Sequence, residues 1–204
     1  MVRRVAAMLD LETESFSEGE ILPKGWHFFM LAGLTRKSDL RQDGFPGLGV
    51  PIPDLGLPRL LLGGRTVVYK SDIAIGSVIE KTSFVKDIVE KTPPSGRIAI
   101  VTLQHELRPV LDAHPAIVET QTYILLENKS VAPKPNPSNV QNLPNWGKHK
   151  EFVPDETLLF QYSALGFNSH KIHLDRNYVQ NVEGLPDLVV NGGLATLLIT
   201  EYIR

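Results

Sequence analysis

Residues Trp26–Leu34 (WHFFMLAGL) are apolar on nearly every face. The run is too short to span a bilayer and too hydrophobic for a surface helix, so it reads as a buried helix. Behind it comes Asp43–Pro58 (DGFPGLGVPIPDLGLP), whose four prolines and four glycines exclude regular structure and mark a long ordered loop or flap. Then follow four runs rich in Val, Ile, Thr and aromatic residues: Arg65–Lys70, Val78–Glu90, Ile98–Leu107 and Ala116–Glu127. Turn signals at Ser95-Gly96, Pro109 and Pro115 separate them, which predicts an antiparallel meander. A buried helix, a flap and four strands together describe an α+β unit in which an antiparallel sheet wraps one helix.

The second Pro-rich stretch, Val131–Pro144 (VAPKPNPSNVQNLP), reads as an extended linker. The expected organisation is therefore a first unit over 1–130, a linker over 131–150 and the start of a second unit over 151–204. In the second unit, Thr157–Ala164 (TLLFQYSA) is expected to open as a strand. A polar stretch (FNSHKIHLDRNY) and a turn at Gly184–Pro186 come next. An apolar helix starting near Gly192 closes the chain, and Gly192-Gly193 would let a backbone or ligand approach its first-turn N–H groups.

Composition narrows the function. With 21 Lys and Arg against 23 Asp and Glu, the net charge is −2, so no basic field exists for holding a nucleic-acid backbone. The absence of cysteine removes disulfides, thiolate nucleophiles and Cys-ligated zinc. Leu188–Ile203 is interrupted by Asn191 and Glu201 and falls short of a membrane span. The N-terminus has Arg3 and Arg4 but turns acidic after a brief apolar run, unlike a secretory or transit segment. An intracellular protein is expected.

Of six histidines, His27 reads as a hydrogen-bonded core residue, and His105, His114 and His149 as surface or structural. His170 and His173 are clustered in Asn168-Ser169-His170-Lys171-Ile172-His173-Leu174-Asp175. Three readings compete for this cluster. A metal site could in principle draw three ligands from His170, His173 and Asp175, but no other acidic or His cluster completes a second shell and H-E-x-x-H is absent. A structural reading makes Asp175 the N-cap of a short helix from Arg176. Acid–base chemistry accounts for the whole cluster: a histidine moves protons near neutral pH, an amide orients a water or hydroxyl, and helix-start N–H groups stabilise an enolate-like oxygen. His173, His170, Asn168 and Gly192 or Gly193 offer these groups.

The pattern Phe160–Tyr178 (FQYSALGFNSHKIHLDRNY), with the following GLPDLVVNG run and the upstream Pro58–Arg65 (PRLLLGGR), resembles the MaoC-like hot-dog dehydratases and hydratases. It is most similar to the branch of 3-hydroxyacyl-thioester dehydratase type 2 and mesaconyl-CoA hydratase. The resemblance implies a degenerate N-terminal hot dog and a lyase of 3-hydroxyacyl or enoyl thioesters carried on coenzyme A or an acyl carrier protein, without metal or redox cofactor. It makes His173 the acid/base, lets Asn168 and His170 position water, and gives carbonyl polarisation to the N–H of Gly192 or Gly193. Asn168 stands where the wider family has Asp, His170 where it has Asn, and Asn191-Gly192 where it has His-Gly. The branch is usually a double hot dog, so a homo-oligomer or a partner chain is expected to cover the C-terminal helix. A non-catalytic acyl-thioester-binding subunit and an accessory dehydratase or cyclase of a biosynthetic pathway are the alternatives. The resemblance also implies mitochondria.

Overall fold

The computed structural model describes residues 1–94, 96–127 and 152–204. The linker expected over 131–150, with His149, lies outside them. The chain opens with α1 (Val2–Met8) and, after short 3₁₀ turns and the irregular flap, forms β1 (Arg59–Tyr69), β2 (Ile79–Lys91), β3 (Ile98–Pro109) and β4 (Ile117–Leu126). Then come α2 (Glu156–Leu165), the short α3 (Arg176–Tyr178) running into a π turn over Val179–Glu183, and α4 (Gly192–Ile203).

All neighbouring strands are antiparallel, in the order β1-β4-β3-β2. This corrects the expected simple meander: β2, β3 and β4 follow one another, but β1 adds to the far edge of β4. β1 also starts six residues earlier than the sequence reading, because Gly63-Gly64 interrupts its register as a bulge without ending it. A Cβ on Gly63 would come within 3.1 Å of the Ile124 side chain, which explains the glycine inside a strand. Central β3 buries every second residue, Ala99, Val101, Leu103, His105 and Leu107, as a strand with one covered face must.

Two further expectations change. Trp26–Leu34 does not form a long helix; it is a 3₁₀ turn over Trp26–Leu31. Gly25 enters it at φ 88° and Ala32 leaves it at ψ 134°, so the turn is confined to the six residues between them. Its apolar character is nonetheless spent on burial, with Trp26, His27, Phe28 and Phe29 all inside. Thr157–Ala164 is helix, not strand. Asp155 accepts a hydrogen bond from the Leu158 N–H at 2.8 Å as an N-cap, and Leu159, Tyr162 and Ser163 are buried at helical spacing.

The inner face of the sheet carries two apolar clusters. One gathers Leu107 and Ile117 with Val5, Trp26, Phe29, Leu159, Tyr162, Leu194 and Leu197, so segments from both ends of the sequence share a core. The other joins Ala99, Val101, Leu103 and Leu125 to Leu57, with Leu48, Val50, Ile52 and Leu55 of the flap laid against them. Between the two sits a charged group. Glu119, 1% exposed, receives His27 Nε2 at 2.9 Å and Gln121 Nε2 at 2.6 Å, and Arg65 Nε lies 2.9 Å away. Arg65 stacks on the Phe28 ring at 4.1 Å. Burial pushes the Glu119 carboxyl up, but the His27 bond, the Arg65 charge and the Gln121 bond outweigh it and hold the group ionised. His27 is thus the hydrogen-bonded core histidine expected, and of the two readings for His105, surface or structural, the second holds: it is buried against Ser83 Oγ at 2.8 Å.

Candidate active site

Helix α2 ends at Gly166, and Phe167 takes a positive φ of 48° that turns the chain sharply into Asn168. The Asn168 N–H closes the helix end on the Ser163 carbonyl at 2.8 Å. Its side-chain Oδ1 accepts from the His170 N–H at 3.1 Å, an Asx turn that shapes the loop carrying the histidines. A single 3₁₀ turn, Lys171–His173, follows. Asp175 then caps α3, accepting from the Tyr178 N–H at 2.9 Å as the structural reading required.

His170 and His173 come together, their rings 5.6 Å apart and nearly perpendicular. His173 is 8% exposed, and its Nδ1 lies 2.6 Å from the Val189 carbonyl oxygen. A carbonyl can only accept, so Nδ1 carries the proton and Nε2 keeps a lone pair. Burial drives the His173 pKa down to about 4, against the opposing pull of the Val189 bond and with the help of neighbouring His170, so the ring is neutral at pH 7. His170 is also lowered, by burial first; Asp43 and Glu183 raise it, and Arg41 lowers it.

The segment that supplies Val189 leads directly into α4. The Val189 N–H bonds the Ile172 carbonyl at 2.9 Å, so residues 172–173 and 189 run side by side. Asn191 is the N-cap of α4 without a side-chain capping bond; its Nδ2 donates to Ser163 Oγ at 3.3 Å, and its Oδ1 is buried without a partner. The first intrahelical bond of α4 goes from Ala195 N–H to Asn191 O, which leaves the N–H groups of Gly192, Gly193 and Leu194 ahead of the ladder. The room made by the two missing Cβ atoms is taken by side chains: a Cβ on Gly192 would stand 2.8 Å from Leu62 Cδ2, and one on Gly193 only 2.1 Å from the Tyr162 hydroxyl.

Reasoning from the sequence missed the groups that arrive from the flap. The Lys171 N–H donates to the Asp43 carbonyl at 2.8 Å, and Ser169 Oγ to the Gly44 carbonyl at 2.7 Å. Asp43 Oδ2 stands 3.7 Å from His170 Nε2, and the Phe45 ring lies 5.2 Å from the His170 ring. The Asp-Gly pair was legible as a turn, but nothing local links it to a motif so distant in sequence. From Arg41 and Phe45 a cavity of about 470 Å³ extends under the flap, lined by Leu48, Val50, Ile52 and Leu125 among others. Among the described residues, no group of three or more His, Cys, Asp or Glu is placed to hold a metal ion, and no helix is long and apolar enough to cross a membrane.

With this geometry in place, comparisons with known proteins agree on one kinship. A family model described as hydroxyacyl-thioester dehydratase type 2 matches residues 25–204. The chain is 33% identical to the mesaconyl-C(4)-CoA hydratase of Chloroflexus aurantiacus, over 100% of its own length and 72% of the relative's. It is 24% identical to the mitochondrial hydroxyacyl-thioester dehydratase type 2 of Schizosaccharomyces pombe, covering 90% of this chain and 67% of that one. Among solved structures, HtdX of Mycobacterium tuberculosis superposes with a TM-score of 0.60 at 14% identity, over 97% of this chain and 68% of that one. A MaoC-like dehydratase gives 0.61 at 14% identity, over 97% and 70%. These two likenesses establish the hot-dog kinship of the α+β fold.

Proposed function

The chain belongs to the hydroxyacyl-thioester dehydratase type 2 family, and on that premise we propose that it is a hydro-lyase. It would remove water from a 3-hydroxyacyl thioester or add water to the corresponding enoyl thioester. The observation that carries this reading is the state of His173, a buried neutral imidazole whose Nδ1–H is committed to Val189, leaving Nε2 to accept a proton. In the dehydration direction His173 Nε2 takes the α-proton. The electron pair of that C–H bond forms the new double bond, the β C–O bond breaks, and the hydroxyl leaves as water with the proton returned to it. Negative charge that develops on the thioester oxygen is met by the N–H of Gly192 at the positive end of α4. His170 holds the departing or attacking water beside His173. Asn168 acts by shaping the loop, since its carboxamide oxygen is engaged by the His170 N–H.

No metal or redox cofactor enters this scheme; the thioester on coenzyme A or an acyl carrier protein is substrate, not cofactor. The apolar cavity beneath the flap is the natural lodging for the acyl chain, because Phe45 in its lining also lies against His170. His173→Ala tests the assignment. Turnover of a 3-hydroxyacyl-CoA should fall by about 10²–10⁴-fold, the contribution of a positioned proton-transfer group, with the fold retained by circular dichroism. Full activity in that variant would sink the assignment.

A second reading, a chain that works as one subunit of an assembly, draws on α4, where Ile199 is 60% and Ile203 77% exposed beside exposed Tyr202. A second copy or a partner chain would cover them, and a strictly monomeric mass in solution argues against it. A mitochondrial location is supported by the Schizosaccharomyces pombe relative, and imaging of a tagged chain in its own cell would decide it.

A further inference from the structure

We infer that Asp43, at the base of the flap, is the positioning carboxylate for His170. This rests on the proposed dehydratase reading and goes beyond it by giving the flap a role in proton handling. Asn168 cannot supply a negative charge, and its amide oxygen is already bonded to the backbone. Asp43 stands in the right place to do so. Its Oδ2 is 3.7 Å from His170 Nε2, both side chains are largely buried, and closing that gap to hydrogen-bond length needs only the tightening that apo sites commonly show on binding substrate.

The placement is built, not incidental. Asp43 Oδ1 accepts from the Phe45 N–H at 3.0 Å, which fixes the carboxylate plane. Its own carbonyl takes the Lys171 N–H, and the next carbonyl takes Ser169 Oγ, so the backbone is fastened on both sides of the side chain. Gly44 permits this approach: it sits at φ 77°, and a Cβ there would be 2.3 Å from the Ser169 carbonyl oxygen. Phe45 then closes over the imidazole. The charged and titratable groups facing His170 are Asp43 and Arg41 from the flap base, Glu183 from the π turn and His173 from its own loop. Arg41 Nη2 approaches Asp43 Oδ2 at 3.1 Å and also donates to the Pro58 carbonyl at 2.6 Å. Asp43 therefore holds the Nε2 side of the ring and favours the proton there, which directs Nδ1 away from the flap as the edge that meets the substrate's hydroxyl or water.

Two variants of the full chain separate this charge effect from mere fastening of the flap. Asp43→Asn keeps the Phe45 N–H acceptor and both backbone bonds, and replaces the charged Oδ2 by a neutral amide nitrogen that cannot accept from His170. It should lower kcat at least about tenfold with KM unchanged. It should also move the His170 ring titration, followed by NMR and identified by its loss in His170→Asn, downward, because the charge that raises it is gone. Arg41→Gln removes the opposing charge and should move the same titration up. Opposite shifts, with kcat lost in Asp43→Asn, support the inference. Shifts in the same direction, or an Asp43→Asn protein with unchanged kcat, overturn it, and if that variant fails to fold the Arg41→Gln titration decides alone. His173→Ala is assayed alongside: if it stays active the dehydratase reading fails, while the His170 titration still reports on Asp43.

Discussion

Gly193→Ala is a sharp probe of how the start of α4 is held. A methyl group there would lie 2.1 Å from the Tyr162 hydroxyl, well inside the 3.0 Å that real Cβ contacts essentially never breach, and a tight 3.1 Å from Tyr162 Cζ. Tyr162 cannot easily retreat: it is 8% exposed, in the shared core, with its ring 5.3 Å from that of Phe29. Overpacking of this kind costs about 1–3 kcal/mol. The helix preference of alanine over glycine offsets up to about 1 kcal/mol of it. A net loss of about 1–2 kcal/mol remains, a fall in Tm of about 2–8 °C for a chain of this size. Gly192→Ala is the internal control, because there the obstacle is the terminal methyl of the partly exposed Leu62, which can rotate away. Differential scanning calorimetry on the two variants, with kcat/KM on a 3-hydroxyacyl-CoA, makes the comparison. Gly193→Ala should lose both stability and turnover, and Tyr162→Phe should restore part of the stability by removing the nearest atom. A Gly193→Ala protein as stable as the parent would refute the reasoning, since it would mean that α4 does not start against Tyr162.

The pH dependence of stability follows from His173. Its folded pKa of about 4 lies below the ordinary value of 6.5, so the unfolded chain binds the proton more readily and stability falls as pH drops from about 6.5 towards 4. The loss is on the order of 3 kcal/mol across that window, and urea titrations at pH 7 and pH 5 should show a smaller difference in His173→Asn. If both proteins lose the same stability, the ring is not held neutral by burial. Glu119→Gln leaves Arg65 without its counter-ion inside the sheet and should cost about 3–5 kcal/mol in chemical denaturation. A loss under about 1 kcal/mol would mean that solvent reaches the cluster.

How much of this was legible in the sequence depends on the range of the forces involved. The β-branched runs became strands because alternation is local, and β3 shows it residue by residue. The Asp175 cap and the α4 helix from Gly192 were likewise readable from adjacent residues. Thr157–Ala164 was misread because a short apolar run fits a buried strand as well as a buried helix; the decisive signal was Asp155-Glu156 just ahead of it, a cap with an acidic first turn. Trp26–Leu34 was read as a buried helix; Trp26, His27, Phe28 and Phe29 are buried but in a 3₁₀ turn, and Leu34 is exposed, since hydrophobicity does not report pitch. The histidine pair was visible from its spacing. The two groups that set its chemistry were not: the Val189 carbonyl is a backbone atom with no side-chain signature, and Asp43 reaches the motif only through tertiary contact.

That tertiary contact has a cause in the sheet. The inner face of β3 and β4 is divided, with His105 opposite Glu119 across the strands and apolar residues towards either end. The 3₁₀ turn at Trp26–Leu31 packs in the cluster at one end, while Leu48, Val50, Ile52 and Leu55 pack in the cluster at the other. The chain between them must pass from one cluster to the other, and on that passage Asp43, Gly44 and Phe45 meet Ser169, His170 and Lys171. The carboxylate beside His170 is therefore placed by two hydrophobic anchorages outside the site, fixed to the loop by backbone bonds. Loosening the apolar flap would then be felt at the histidines through the backbone bonds that join Asp43 and Gly44 to Lys171 and Ser169.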